Sequence, residues 1–311
     1  MHLHNIHGYY INIELLFNYL RKNNKKVIWT LHDCWAFTGH CSYFDYIKCD
    51  KWKTKCEKCM QKKEYPCSKL IDNSSWNYER KKELFTAIKK ENMQIITPSV
   101  WLSNLAKESF LKKYDVKVIN NGIDTDVFKP TESDFRDKYN LNDKFVILGV
   151  ASIWNNRKGI KFFYELSEVL DESYKIVLVG ISDKDMKKVP ANILAINKTN
   201  NTKELAKIYT AADVFVNPTL EDNYPTTNLE AISCNTPVIT FDSGGSGECI
   251  EFSDNYLGIV VKDKCTKELI KAINSIKINK KLININVNAF NKRDKYVEYI
   301  KIYNLISNRG K

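Results

Sequence analysis

The sequence predicts an α/β protein of two domains, each built on a parallel sheet covered by helices. Three observations carry this expectation. The chain has 311 residues, more than one hydrophobic core comfortably serves. Its C-terminal two-thirds alternates short apolar runs with amphipathic stretches. Ahead of that series lie three more strand-like runs, separated by a Cys-rich loop and helical stretches.

The later series begins with Phe145-Val146-Ile147-Leu148-Gly149-Val150-Ala151, continuously apolar as in a strand buried on both faces. An amphipathic segment runs from Lys158 to Leu170. Tyr174 to Gly180 and Ile193 to Ile196 are the next strands, and a helix is expected near Thr202 to Ala212. Val214-Phe215-Val216-Asn217-Pro218 is another buried strand, and a helix starts after Pro225. Pro237 to Phe241 and Gly258 to Val261 close the series. This order predicts a doubly wound parallel sheet. Before it, Lys26 to Leu31, Gln94 to Thr97 and Val116 to Ile119 read as later strands of another α/β domain. The expected division is 1–116 for a partial first domain, 117–290 for the second, and 291–311 for a closing amphipathic helix.

Composition narrows the function. Hydrophobic residues make up 43% of the chain, ordinary for a globular protein. No apolar run reaches the roughly 18 residues of a membrane span, and no secretory signal is visible. A cytoplasmic location is expected, with peripheral contact at an anionic inner membrane face. The net charge of +11 fits both general solubility of a Lys- and Asn-rich bacterial chain and attraction to nucleotide diphosphates or acidic lipids. The lysines are scattered and no nucleic-acid-binding motif is present, so no nucleic-acid partner is expected.

The segment from Pro218 to Ala231 leaves a strand, turns and enters a helix. Ligands of open α/β sheets bind outside the carboxyl ends of the strands. Thr226, Thr227 and Asn228 fall in the first helical turn, where unpaired N–H groups and the helix dipole favour phosphate. Asp222 and Glu230 place a carboxylate at each end of this segment, suited to accepting hydrogen bonds from sugar hydroxyls. The spacing alone favours a turn-capping Asp222 and a solvated Glu230 instead. Trp154-Asn155-Asn156-Arg157-Lys158-Gly159 follows the first strand of the second domain and carries two adjacent cations, which a solvated helix start would also explain; the planar fork of Arg157 suits phosphate.

These residues resemble the family 4 (group 1) retaining glycosyltransferases, GT-B enzymes of two Rossmann-like domains, and in particular their polysaccharide-biosynthesis branch. The resemblance runs from His2 almost to the C-terminus. It rests on the acid-x7-acid stretch from Asp222 to Glu230, on Asn120-Asn121-Gly122-Ile123-Asp124, on Lys158-Gly159, and on Ser243-Gly244-Gly245-Ser246-Gly247-Glu248. It implies that Glu230 holds the donor ribose and that Asp222 contacts the transferred sugar. Backbone amides around Asn223 would receive sugar and phosphate oxygens. Asp222 is a departure, since Glu is usual there. Lys158 would hold the donor diphosphate. The family's second cation is missing at Ser152 or Ile153, and Arg157 substitutes for it. His32, after the strand ending Thr30-Leu31, matches a family His beside the donor sugar and acceptor. Catalytic roles are thus expected for His32, Asp222 and Lys158, with no metal cofactor for catalysis.

Nine cysteines are many for such an enzyme, and six fall between Cys34 and Cys67. An odd total without a signal peptide argues against a disulfide framework. Cys41-x7-Cys49-x6-Cys56-x2-Cys59 offers four thiolates with one Cys-x2-Cys knuckle, the donor set of a structural zinc; four unrelated thiols are the plain alternative.

The expected activity is sugar transfer from a nucleotide-diphosphate donor to a glycan or lipid-linked glycan, with retention. Two other readings stand beside it: an inactive nucleotide-sugar-binding fragment, and a zinc-containing nucleic-acid-binding protein. A complete family member starts with a strand and a Gly-rich loop, and nothing similar precedes His2. The resemblance therefore implies that about three strand–helix units of the first domain are absent, with poor solubility and little turnover for the chain alone.

Overall fold

The computed structural model describes residues 1–68, 70–251, 257–279 and 287–309. The chain divides into two compact units, Met1–Asn120 with Lys295–Lys311, and Asn121–Asp294. Among the described residues, no helix is long and apolar enough to cross a membrane.

Unit 1 contains β1 (His2–Leu3), α1 (Ile13–Lys22), β2 (Val27–Thr30), α2 (Ser74–Thr86), β3 (Met93–Thr97), α3 (Val100–Glu108) and β4 (Asp115–Val118). Its sheet is parallel, in the order β1-β2-β3-β4. Every residue of β2 and β3 is buried, the polar Thr30, Gln94 and Thr97 included. Asn12 caps α1 by accepting a hydrogen bond from the Leu15 N–H. That fixes the helix so that Phe17 packs against Phe85 and Trp29.

The chain from β2 to α2 holds only two short 3-10 turns, Trp35–Phe37 and Lys51–Lys53, among its described residues. It carries a small core instead, in which Phe37, Phe44 and Trp52 pack ring against ring.

Unit 2 contains α4 (Phe135–Lys138), β5 (Phe145–Val150), α5 (Ile160–Val169), β6 (Tyr174–Val179), α6 (Asp183–Met186), β7 (Leu194–Ile196), α7 (Thr202–Ala211), β8 (Val214–Asn217), α8 (Thr226–Ser233), β9 (Val238–Phe241), α9 (Glu248–Glu251), β10 (Gly258–Val261) and α10 (Thr266–Asn279). Its six strands are parallel, in the order β10-β9-β8-β5-β6-β7. Val146 and Leu148 join the core on one face of β5 while Ile147 joins the core on the other. That two-sided burial explains the continuous apolar run. From β5 the chain winds outward to β7, then returns to β8 beside β5 and winds the other way. The loops after β5 and β8 therefore diverge at the switch point, where such sheets leave a crevice.

Two boundaries differ from the sequence expectation. The first unit ends at Asn120 rather than at residue 116, because β4 pairs with β3 and the Ile119 N–H continues that ladder to Thr97 O at 3.0 Å. The final helix, α11 (Lys292–Asn308), is not a separate closing piece. Ile302 and Ile306 pack with Ile28, Ile96 and Ile119 of the first sheet.

Candidate functional site

The switch point of unit 2 gathers the expected donor-binding residues. Lys158 follows β5 and Asp222 follows β8. They are far apart in sequence, yet Lys158 Nζ lies 2.5 Å from Asp222 Oδ2. Both side chains are largely buried. Arg157 lies alongside: its Nη1 donates to Glu221 O at 3.0 Å, and its own carbonyl accepts from the Leu220 N–H at 2.8 Å. The β5 and β8 loops are thereby bound to each other by main-chain contacts, and the two cations are held in place.

Gly159 makes this junction possible. It sits at φ +75°, and a Cβ there would fall 2.1 Å from Pro218 O. A left-handed backbone and direct contact with a carbonyl both require glycine.

Asp222 also shapes its own loop. Its Oδ1 accepts from the Asn223 N–H at 2.9 Å, and its carbonyl accepts from Gly245 N–H at 3.2 Å. The Asn223 N–H is thus turned toward the aspartate. Asn121 Nδ2 donates to Tyr224 O at 3.0 Å, so the start of unit 2 anchors the same loop.

α8 begins at Thr226 with Pro225 before it and no side-chain cap. The first-turn N–H groups of Thr226 and Thr227 have no intrahelical carbonyl to bond, as at any helix start. Asn228 differs from the expectation. Its N–H donates to Pro225 O at 3.2 Å. Its side-chain amide accepts from Asn217 at 2.8 Å and donates to Ser246 O at 2.9 Å. Asn228 is wholly buried, and it ties β8, α8 and the glycine-rich loop together rather than offering a group to a ligand.

Glu230 is neither a solvated helix residue nor a partner of Asp222. Its Oε2 accepts from the Tyr209 hydroxyl at 3.1 Å. Burial raises its pKa above the ordinary carboxylate range, and hydrogen bonds from Tyr209 and Thr226 act against that rise. Tyr209, on α7, is a residue that the sequence reading missed. It is fully buried, and nothing in the local pattern distinguishes it from a core aromatic.

Unit 1 assembles a histidine cluster where β1 and β2 end side by side. His4 Nδ1 and His32 Nε2 are 2.9 Å apart, with their rings stacked at 5.2 Å. His2 Nε2 lies 2.8 Å from Thr30 Oγ1. His7 Nε2 pairs with Asp33 Oδ2 at 3.0 Å, and Asp33 Oδ1 accepts from the Trp35 N–H at 2.8 Å. Burial and then the neighbouring His4 lower the His32 pKa, so its ring is neutral at physiological pH and keeps a lone pair. His4 and His7 come from the opening His-rich stretch, which the parallel pairing of two-residue β1 brings to His32.

A polar and aromatic pocket of about 520 Å³ lies in the same unit, lined by Trp35, His40, Trp76, Arg80 and Lys81 among others. Lys81 is buried, donating to Trp35 O at 2.8 Å and to Thr38 O at 3.0 Å. Burial pushes its pKa down to about 7.

Cys41, Cys49, Cys56 and Cys59 line one small cavity. Among the described residues, no three His, Cys, Asp or Glu side chains are already arranged to hold a metal ion. The structure thus brings the four thiols of the expected zinc site to one place without closing them into a ligand set.

Residues 144–278 match the family described as Glycosyl transferases group 1. The chain is 26% identical to a protein of Escherichia coli (strain K12) named as the colanic acid biosynthesis glycosyl transferase WcaC, over 81% of this chain and 62% of that one. It is 28% identical to an N,N'-diacetylbacillosaminyl-diphospho-undecaprenol alpha-1,3-N-acetylgalactosaminyltransferase of Campylobacter jejuni, over 63% of this chain and 56% of that one. The chain therefore spans less than two-thirds of the length of these relatives. Among solved structures, it resembles Anabaena Alr3699/HepE in complex with UDP, with a TM-score of 0.67 and 16% identity over 94% of this chain and 76% of that one. The fold is that of the GT-B glycosyltransferases, and the family match covers residues 144–278, less than half of this chain.

Proposed function

We propose that unit 2 binds the nucleotide-diphosphate part of a sugar donor. We further propose that the protein transfers the sugar, with retained anomeric configuration, to a hydroxyl of a glycan or lipid-linked glycan in cell-surface polysaccharide biosynthesis. The observation that carries this reading is the convergence of Lys158, Asp222 and the α8 N-terminus at the switch point of the second sheet. A diphosphate there meets the Lys158 ammonium, the Arg157 guanidinium, and the N–H groups of Thr226 and Thr227. Glu230, on the first turns of the same helix, accepts from the ribose hydroxyls. Asp222 and the loop at Asn223 face the sugar.

The bond from the anomeric carbon to the phosphate oxygen breaks, and the acceptor oxygen bonds to that carbon on the same face. The acceptor proton passes to the leaving phosphate. Charge growing on that phosphate is stabilised by the cations and helix amides already in place. His32, neutral and held against His4, positions the reacting hydroxyl in unit 1.

Measuring UDP release from a panel of UDP-sugars tests this assignment. In a preparation that turns over, His32→Ala is expected to lower kcat by about a hundredfold or more, with UDP affinity unchanged because every residue proposed to hold UDP belongs to unit 2. An unchanged kcat would remove His32 from the reaction.

A further inference from the structure

The small cavity among the cysteines has features that the transfer reaction does not use. Its volume is about 20 Å³, and Cys41, Cys49, Cys56 and Cys59 all line it. These four thiols come from a segment with almost no regular structure. Apolar side chains including Phe44, Ile47 and Met60 also line the cavity. Two further lining residues, His40 and Trp52, carry buried ring nitrogens, Nε2 and Nε1, with no hydrogen-bond partner among the described residues. Unpartnered buried polar atoms are costly and call for an explanation.

Trp52 decides the chemistry. An indole N–H can only donate, so its missing partner is an acceptor. A neutral thiol is a weak acceptor, whereas a thiolate is a strong one. Gly39 N–H already donates to Cys56 Sγ at 3.2 Å, and a Cβ on Gly39 would fall 2.7 Å from that of Cys56. The main chain therefore presses an N–H onto the sulfur. Lys81 Nζ, stacked 3.5 Å over the Trp35 ring, is a buried amine whose charged form is opposed by burial and favoured by negative charge on Cys41 and Cys56. An N–H on one sulfur, a second N–H that lacks an acceptor and a buried amine nearby all suit a cluster of thiolates.

We propose that Cys41, Cys49, Cys56 and Cys59 bind one structural zinc ion, with Gly39, Trp52 and Lys81 stabilising the thiolates around it. The set is all sulfur and tetrahedral in number, so the site is closed and takes no part in the transfer chemistry. The thiols are not yet at ligand positions: Cys41 and Cys59 hydrogen-bond to each other. Ligation replaces that bond with two sulfur–zinc bonds, releases the thiol protons and draws the side chains inward. The ion supplies the staple that the segment from Cys34 to Asn73 lacks in secondary structure. The inference concerns unit 1 alone and does not depend on the donor-binding reading.

Elemental analysis of the full chain, purified under reducing conditions without a metal-affinity tag, is expected to find about one zinc per chain. Cys56→Ser should lower that content at least about fivefold. Trp52→Phe keeps the aromatic packing and removes only the N–H. It should fold, retain zinc, and lose it to a competing chelator at about tenfold lower chelator concentration. If zinc is stripped in preparation, adding cobalt(II) to the reduced protein should produce thiolate-to-metal charge-transfer absorption. Absence of both zinc and the cobalt signal would overturn the proposal. So would zinc that persists in Cys56→Ser, or a Cys41–Cys59 disulfide as the resting state.

Discussion

A Glu230→Gln variant is expected to bind UDP more weakly by about 1–3 kcal/mol, the range for a lost charged hydrogen bond, and yet to be at least as stable as the parent. The two effects have one origin. Burial raises the Glu230 pKa, so the folded protein carries the carboxylate at a cost. Glutamine is uncharged and removes that cost, while its carbonyl still accepts from the Tyr209 hydroxyl. The sign follows from proton linkage. Between the ordinary carboxylate pKa of the unfolded chain and the raised value in the folded one, the folded state binds more protons. Stability therefore falls as pH rises through that window, and the cost is complete above it. Ligand binding runs the other way, because only the carboxylate accepts from both ribose hydroxyls. UDP affinity should weaken as pH falls through the raised pKa, and the Glu230→Gln substitution should abolish that pH dependence. Calorimetric titration and thermal melting read the two effects separately. A destabilised variant with unchanged affinity would assign Glu230 to packing instead.

Gly159→Ala is expected to be the most damaging single substitution near the switch point. The residue is left-handed at φ +75°, and the added Cβ would fall 2.1 Å from Pro218 O. A left-handed conformation costs a non-glycine residue roughly 1–2 kcal/mol. The carbonyl cannot yield cheaply, since Pro218 follows β8 directly and Leu220 N–H is bonded back to Arg157 O at 2.8 Å. A total of about 3 kcal/mol or more is expected, lowering the melting temperature by about 6–12 °C for a unit of this size. Because the clash separates the β5 and β8 loops, it also parts Lys158 from Asp222, and UDP binding should fail before the fold does. A melting curve that matches the parent would contradict the close approach at this junction.

Much of unit 2 is legible in the sequence because its strands are buried on both faces. Phe145 to Val150 and Val214 to Asn217 can be read as strands since their side chains face one core or the other in turn. β1 is different. Only His2 and Leu3 pair, opposite Ile28 and Trp29, and two residues carry no periodicity. Its effect on the site is large all the same, for it sets His4 beside His32. The strand series also left out α10, whose buried Leu269, Ala272, Ile273 and Ile276 follow a helical period. Local spacing proposed Lys158, Asp222 and Glu230, but not their partners. The Lys158–Asp222 pair and the Tyr209–Glu230 hydrogen bond join distant parts of the chain, and such pairs follow from sheet order rather than from motif. Asn228 is expected in the first turn for its N–H, which donates to Pro225 O at 3.2 Å, while its side-chain amide is held between Asn217 and Ser246.

The central claim is that the switch point of unit 2 holds a nucleotide diphosphate, and calorimetric titration of UDP into the chain and into Lys158→Met tests it most directly. Methionine retains the length of the side chain and removes the charge, which limits the packing change, and a melting curve shows whether the variant is folded. The expected result is saturable binding at one site in the parent, weakened about tenfold or more in the variant, as for loss of a charge-assisted contact of about 1.5–3 kcal/mol. A folded parent that gives no saturable heat, or a folded Lys158→Met variant with the parent's affinity, would contradict the account.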